Sequence, residues 1–134
     1  MATTLDDPGV ARLLEARNHA VVSTLGADGS IHSTVVWVDV EDGQLAVNSA
    51  VGRAWPTNLE RNPTINVVVY DESNPYDYVE VRGTARPRLE GADAHIDRLA
   101  KKYMDVDSYP FRSETEQRIT FLVDATRVRH QKQG

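Results

Sequence analysis

The chain has 134 residues, 40% of them hydrophobic and 26% charged, which is enough for one core and short for two, so a single domain over 1–134 is expected. It contains no cysteine, and this excludes disulfides, thiolate metal sites, iron–sulfur ligation and a thiol nucleophile; redox chemistry would have to come from a bound cofactor. With 20 acidic against 15 basic side chains the formal net charge is -5, the wrong sign for a phosphate-backbone footprint, so nucleic acid is not an expected partner.

Met1 to Asp7 has neither a basic region nor an apolar run, and no window approaches the ~18 apolar residues of a spanning helix. A cytoplasmic protein without membrane contact is expected. Asp6-Asp7-Pro8-Gly9 then supplies an N-cap and a proline near the first helical position, and Val10, Leu13 and Leu14 follow at helical spacing. That helix should end near Arg17-Asn18. Three β-rich runs come next: His19–Leu25, closed by Gly26-Ala-Asp28-Gly29; Ser30–Val40, closed by Glu41-Asp42-Gly43; and Gln44–Ser49. They read as an antiparallel meander. Pro56 fits the first turn of a short helix that carries Leu59 and stops at Asn62-Pro63. Thr64–Tyr70 is a fourth strand, and Asp71 to Pro75 a polar turn. From Tyr76 a fifth strand alternates cleanly, with Val79, Val81, Gly83 and Ala85 on one face and Tyr78, Glu80, Arg82 and Thr84 on the other. Ala92–Met104 places Ile96, Leu99, Ala100 and Tyr103 on one helical face, with Lys101 and Lys102 expected to face out. Gln117–Val128 is the sixth strand. The basic residues of the tail, Arg127, Arg129, His130 and Lys132, read as a solvated, frayed terminus, and those at Arg82, Arg86 and Arg88 as solvated surface. Six mainly antiparallel strands in so short a chain favour closure into a barrel with helices over its ends.

The common catalytic motifs are missing: no phosphate-binding glycine loop, no His-Glu-x-x-His, no Gly-x-Ser-x-Gly. His19, His32, His95 and His130 show no metal-ligand spacing, so no metal is expected. Ser30-Ile-His-Ser-Thr-Val-Val-Trp-Val38 carries small polar residues, an imidazole and an indole, which suits a flat heteroaromatic ring. A barrel face with a half-exposed Trp37 explains it equally well. Asn48-Ser49-Ala-Val-Gly-Arg-Ala-Trp55 ends a strand in hydrogen-bonding side chains and then places Arg53 at a helix start, where free N–H groups and a guanidinium would hold an anion. Ordinary capping, with Arg53 in surface contacts, is the alternative.

The runs Gly52-Arg-Ala-Trp-Pro-Thr-Asn-Leu-Glu-Arg-Asn-Pro63, Asn66-Val-Val-Val-Tyr70 and Asn74-Pro-Tyr-Asp-Tyr-Val-Glu-Val-Arg-Gly-Thr-Ala85 resemble the pyridoxamine 5′-phosphate oxidase-like split-barrel superfamily, in particular its F420-dependent oxidoreductase branch. The resemblance implies a mainly β fold, a six-stranded antiparallel split β-barrel of the FMN-binding kind with short flanking helices. It implies a homodimer with cofactor clefts between subunits, a deazaflavin coenzyme F420 (alternatively FMN), and reduction of a small electron-poor organic substrate by hydride transfer. An FMN-dependent oxidase or reductase and a non-catalytic cofactor-binding protein are the alternatives. Carried over residue by residue, the ring would lie along His32, Ser33, Thr34, Val35 and Val36. The ribityl chain and phosphate would meet Asn48, Ser49, Arg53, Trp55, Thr57 and Asn58, and Tyr78 would reach in from the partner. His32, Ser33, Thr34 or Tyr78 could stabilise charge or deliver a proton. Relatives commonly carry a basic residue at the positions of Trp55 and Thr57; here either the phosphate charge falls to Arg53 and Arg61, or the cofactor is held weakly, or the ligand is a different one, since the superfamily also holds FMN-binding and haem-binding members.

Overall fold

β-branched runs separated by turn residues become seven strands and three helices in the structure, a computed structural model that describes residues 2–132. In chain order these are α1 (Pro8–Glu15), β1 (Ala20–Leu25), β2 (Ile31–Val36), β3 (Val38–Glu41), β4 (Gln44–Ala50), α2 (Ala54–Arg61), β5 (Thr64–Asp71), β6 (Asn74–Arg88), α3 (Ala92–Met104) and β7 (Arg118–Lys132). All pairings are antiparallel, in the order β2-β1-β5-β6-β7-β4-β3. No helix among the described residues is long and apolar enough to cross a membrane.

The expected second strand, Ser30–Val40, is two strands, which is why the count is seven and not six. Up to Val36 the segment pairs with β1; after Trp37 it pairs with β4. One continuous run therefore forms both edges of the sheet, which curls until its edges meet at a single residue. The result is a split barrel, mainly β, with short flanking helices. Asp42 and Gly43, with φ of 51° and 79°, make the two-residue turn between β3 and β4, in the left-handed geometry that suits a hairpin's twist. The core is the inward face of this alternation: Val22, Val47, Val67, Val81 and Phe121 are buried, and Leu13 and Leu14 of α1 and Leu59 of α2 pack against them.

Closing the barrel at Trp37 strips Val38 of sheet partners on one side, and two side chains of α3 replace them. Lys102 Nζ donates to the carbonyls of Val38 and Leu14, each at 2.6 Å. Tyr103 Oη donates to the Asn18 carbonyl at 2.6 Å and accepts from Val38 N at 3.2 Å. Lys102 is thus turned inward, not outward as the helical spacing suggested, because buried backbone carbonyls must find donors. Burial pushes its ammonium down to about 8 and the Tyr103 phenol up to about 12.

The C-terminal run is not frayed either. β7 pairs with β6 as far as Lys132, and His130 Nε2 donates to the buried Asp77 carboxylate at 2.8 Å. The β6–β7 register slips between Arg82 and Gly83, leaving Thr126 as the extra residue of a bulge; its hydroxyl donates to the Arg82 carbonyl at 3.1 Å. The bulge bends the two 15-residue strands so that they serve both halves of the barrel. At Gly83 a Cβ would lie 2.2 Å from the Asp124 carbonyl oxygen, a backbone atom that cannot yield.

Two outcomes follow from this geometry. Gly83→Ala should cost about 3 kcal/mol and lower Tm by roughly 10 °C; a thermal melt within two degrees of wild type would show that the strands can separate there without penalty. For Lys102, the unfolded side chain still holds its proton between about pH 8 and 10.5 while the folded one has released it, so its contribution to stability rises with pH in that window. Denaturation of wild type and Lys102→Met across this range should therefore show the difference moving in favour of wild type, and a flat difference would contradict a desolvated amine.

Candidate functional site

The split in the sheet opens a cleft of ≈ 390 Å³. Its floor is the inward end of β4, where Asn48 and Ser49 are buried. One wall is β2, with Thr34, Val35 and Val36, and the opposite wall is the start of α2, with Arg53 and Trp55. Seven of the twelve residues expected from sequence therefore lie around one cavity. The other five do not line it. His32 sits farther along β2, its Nε2 3.3 Å from Ser30 Oγ. Ser33 faces the outside of the sheet, bonded to Ser23 Oγ at 3.0 Å. Thr57 is on the exposed side of α2. Asn58 is buried, donating to Thr24 Oγ1 at 3.1 Å and accepting from Arg61 at 2.9 Å. Tyr78 lies on the outer face of β6, under the Arg129 guanidinium. Arg61 is spent on Asn58 and the Leu25 carbonyl, so it does not supply charge to the cleft.

Trp37, whose indole the sequence offered for a flat ring, also lines the cleft, and His19, Tyr109, Phe111 and Arg118 join it without having been expected there. Trp37 stacks in parallel on Tyr103, 5.3 Å between centroids, and meets Tyr109 edge-on at 6.1 Å; Tyr109 in turn meets Phe111 edge-on at 5.7 Å. His19 closes the wall beside them, its Nδ1 on Glu72. The second cation of the cleft is Arg118, the first residue of β7. Its guanidinium lies 5.2 Å over the Tyr109 ring, its Nε donates to Asn48 Oδ1 at 3.0 Å, and its Nη1 donates to Glu116. A charged residue at the head of the apolar run Ile119 to Val123, the buried first half of the strand, was the available signal, since an arginine enters such a place only with partners.

Behind Arg118 the polar groups form a directed chain. The Asn48 amide donates to the Ala92 carbonyl at 3.0 Å and lies 3.3 Å from Thr120 Oγ1. The Thr120 hydroxyl donates to His95 Nδ1 at 2.8 Å, and His95 Nε2 donates to Asp39 Oδ1 at 2.8 Å. Arg98 donates to the second Asp39 oxygen at 2.8 Å. Burial opposes the charge on Asp39, but the hydrogen bonds from His95 and Arg98 outweigh it and hold the carboxyl below its ordinary range. Next to it the Arg88 hydrogen bonds, aided by Arg98, bring Glu41 down to about 2. Every acceptor in this chain meets a donor, so Asn48 and Arg118 are fixed from behind and present rigid groups to the cleft.

Two other hollows lack this convergence. The larger, ≈ 700 Å³, runs between residues 2–6 and 123–128 and has no aromatic side chain in its lining among the described residues; a third, ≈ 320 Å³, lies on the outer face by Ser23, Asn66 and Arg82.

Comparison with known proteins bears on the chain as a whole. Curated proteins give no match. Among solved structures, an F420 reductase superposes with a TM-score of 0.78 at 24% identity, covering 88% of this chain and 94% of the other. A conserved hypothetical protein of Mycobacterium tuberculosis gives 0.74 at 19% identity, covering 98% and 88%. A putative pyridoxamine 5′-phosphate oxidase from Listeria innocua gives 0.68 at 16% identity, covering 90% and 94%. At these identities the likeness is one of fold. The sequence model described as pyridoxamine 5′-phosphate oxidase matches residues 7–132, nearly the whole chain, and with the split barrel already described it assigns the protein to the pyridoxamine 5′-phosphate oxidase family.

Proposed function

We propose that the chain is an oxidoreductase that binds the deazaflavin coenzyme F420 in this cleft and reduces a small electron-poor organic substrate. The observation that carries the reading is the convergence, in one cavity, of two guanidiniums, an uncapped helix start, a strand edge and an aromatic wall. Each matches a part of such a cofactor. Arg53 and Arg118 stand beside α2, which begins without a side-chain cap, so its first N–H groups can receive a phosphate. β2 pairs on one side only, which leaves backbone donors and acceptors for the polar edge of a heteroaromatic ring. Trp37 and Tyr109 offer faces and edges for the ring or for a substrate stacked on it. That one of the structures sharing the fold is an F420 reductase makes F420 the cofactor to try before FMN.

Bound there, a reduced deazaflavin or flavin supplies hydride to the acceptor. The chain's own part is to bind, orient and exclude water. Thr34 lines the cavity and its hydroxyl can donate to a developing negative charge. His19 can move a proton: with Nδ1 held by Glu72, Nε2 is the atom left to release one.

The same reading needs a second subunit. On β2, Ile31 and Val35 are 73% and 62% exposed, and with Val21, Val68 and Tyr78 they share the outer face of the sheet. A homodimer would cover that face and bring Tyr78 toward a partner's cleft.

Fluorescence titration of the purified protein should give low-micromolar binding of F420 and a roughly tenfold loss in Arg53→Ala. Binding of FMN alone would move the protein to flavin chemistry, and binding of neither would overturn the reading. Light scattering should give twice the mass of the chain, reverting to one chain in Val35→Glu; a wild-type monomer would remove the intersubunit site.

A further inference from the structure

A single carboxylate oxygen holds both arginines of the cleft. Glu116 Oε1 accepts from Arg53 Nη2 at 2.8 Å and from Arg118 Nη1. Two guanidiniums against one carboxylate leave a net positive charge, and two forks that converge on one oxygen are poorly used, since each can grip two. A phosphate group, with its several oxygens, satisfies both. The three side chains also differ in how they are held. Arg118 is 4% exposed and tethered by Asn48 and Tyr109, whereas the Arg53 side chain is 56% exposed. Backbone on either side of Glu116 is pinned. Upstream, Tyr109 N donates to Asp97 at 2.8 Å, and Arg112 pairs with Asp97 and Asp93. Downstream, Val51 N donates to the Gln117 carbonyl at 2.8 Å. Glu116 can therefore leave the arginines by rotating its side chain, with no movement of the segment that carries Tyr109 and Phe111.

We propose that Arg53 and Arg118 form a two-guanidinium phosphate site for which Glu116 is the built-in competitor, displaced when the phosphate enters. The proposal rests on the cofactor reading above only for the identity of the molecule that carries the phosphate. It accounts for the neutral residues at Trp55 and Thr57: the second positive charge comes from β7, some sixty residues away in sequence. It also gives Glu116 a purpose beyond pairing, because a pair of adjacent arginines left without an anion would repel each other whenever the cleft is empty. The carboxylate keeps them together, and the ligand pays for its removal with a weaker apparent affinity.

Inorganic phosphate is the direct probe, followed by thermal stabilisation at constant ionic strength. Glu116→Gln should lower the phosphate concentration for half-maximal stabilisation about tenfold, while Glu114→Gln, an exposed carboxylate two residues away, should leave it unchanged. Adding Arg53→Ala to Glu116→Gln should abolish the gain. If Glu116→Gln takes phosphate no more tightly than Glu114→Gln, the competitor role is wrong. F420 and FMN titrations separate the two ideas. Tighter phosphate with no binding of either cofactor supports the site and rejects the cofactor reading; equal F420 affinity in wild type and Glu116→Gln rejects the competitor and keeps that reading.

Discussion

The whole architecture depends on how the chain crosses from one sheet edge to the other at Trp37. A barrel closed by continuous pairing would have no gap, and an open sheet would have two exposed edges. Here the edges meet at one residue whose neighbours cannot all be satisfied by strands. Lys102 and Tyr103 supply the missing donors and acceptor, and in doing so they fasten α3 to the seam and to the end of α1. The cleft exists because the closure is incomplete, and it keeps its shape because the seam is bolted from one side. Trp37 belongs to both: it is the crossing residue, and its indole is pressed flat against Tyr103.

From that seam a buried polar chain runs inward, from Asp39 through His95 and Thr120 to Asn48 and Arg118. Such a chain is costly when any link is unmet, and it specifies one arrangement when all are met. His95 is fully buried and its two nitrogens have different work, one donating to a carboxylate and one accepting from a hydroxyl. The order of donors and acceptors along the chain fixes which way the Asn48 amide points, and so fixes Arg118 at the cleft.

Much of this was legible in the chain and some could not have been. The bounds of α3 and the alternation of β6 follow from periodicity, because both elements bury one face and leave the other wet. The place of Arg53 at a helix start beside Asn48 and Ser49 follows from a strand ending in polar residues ahead of a helix. The division of Ser30–Val40 does not, since Val35-Val36-Trp37-Val38 holds no turn residue and the change of partner is decided by strands far along the chain. Lys102 looked solvated because helical spacing says which face a residue is on but not that carbonyls wait there. Tyr109 and Phe111 lie in a segment without regular periodicity, and Arg118 reaches Arg53 only through the β4–β7 pairing. Contacts of that kind are properties of the fold, and a resemblance carried along the sequence reproduces only the residues whose neighbours are local.

The position of β7 has a consequence for how the molecule comes into being. Of the ten elements it is synthesised last, yet it lies inside the sheet and is the one strand that joins β2-β1-β5-β6 to β4-β3. Until it emerges from the ribosome no strand pairing joins the two groups, and the β4 edge waits for a partner roughly seventy residues downstream. Folding of this chain is therefore a late, long-range event, and the nascent chain must keep two unjoined sheets from pairing with the wrong neighbours until β7 arrives.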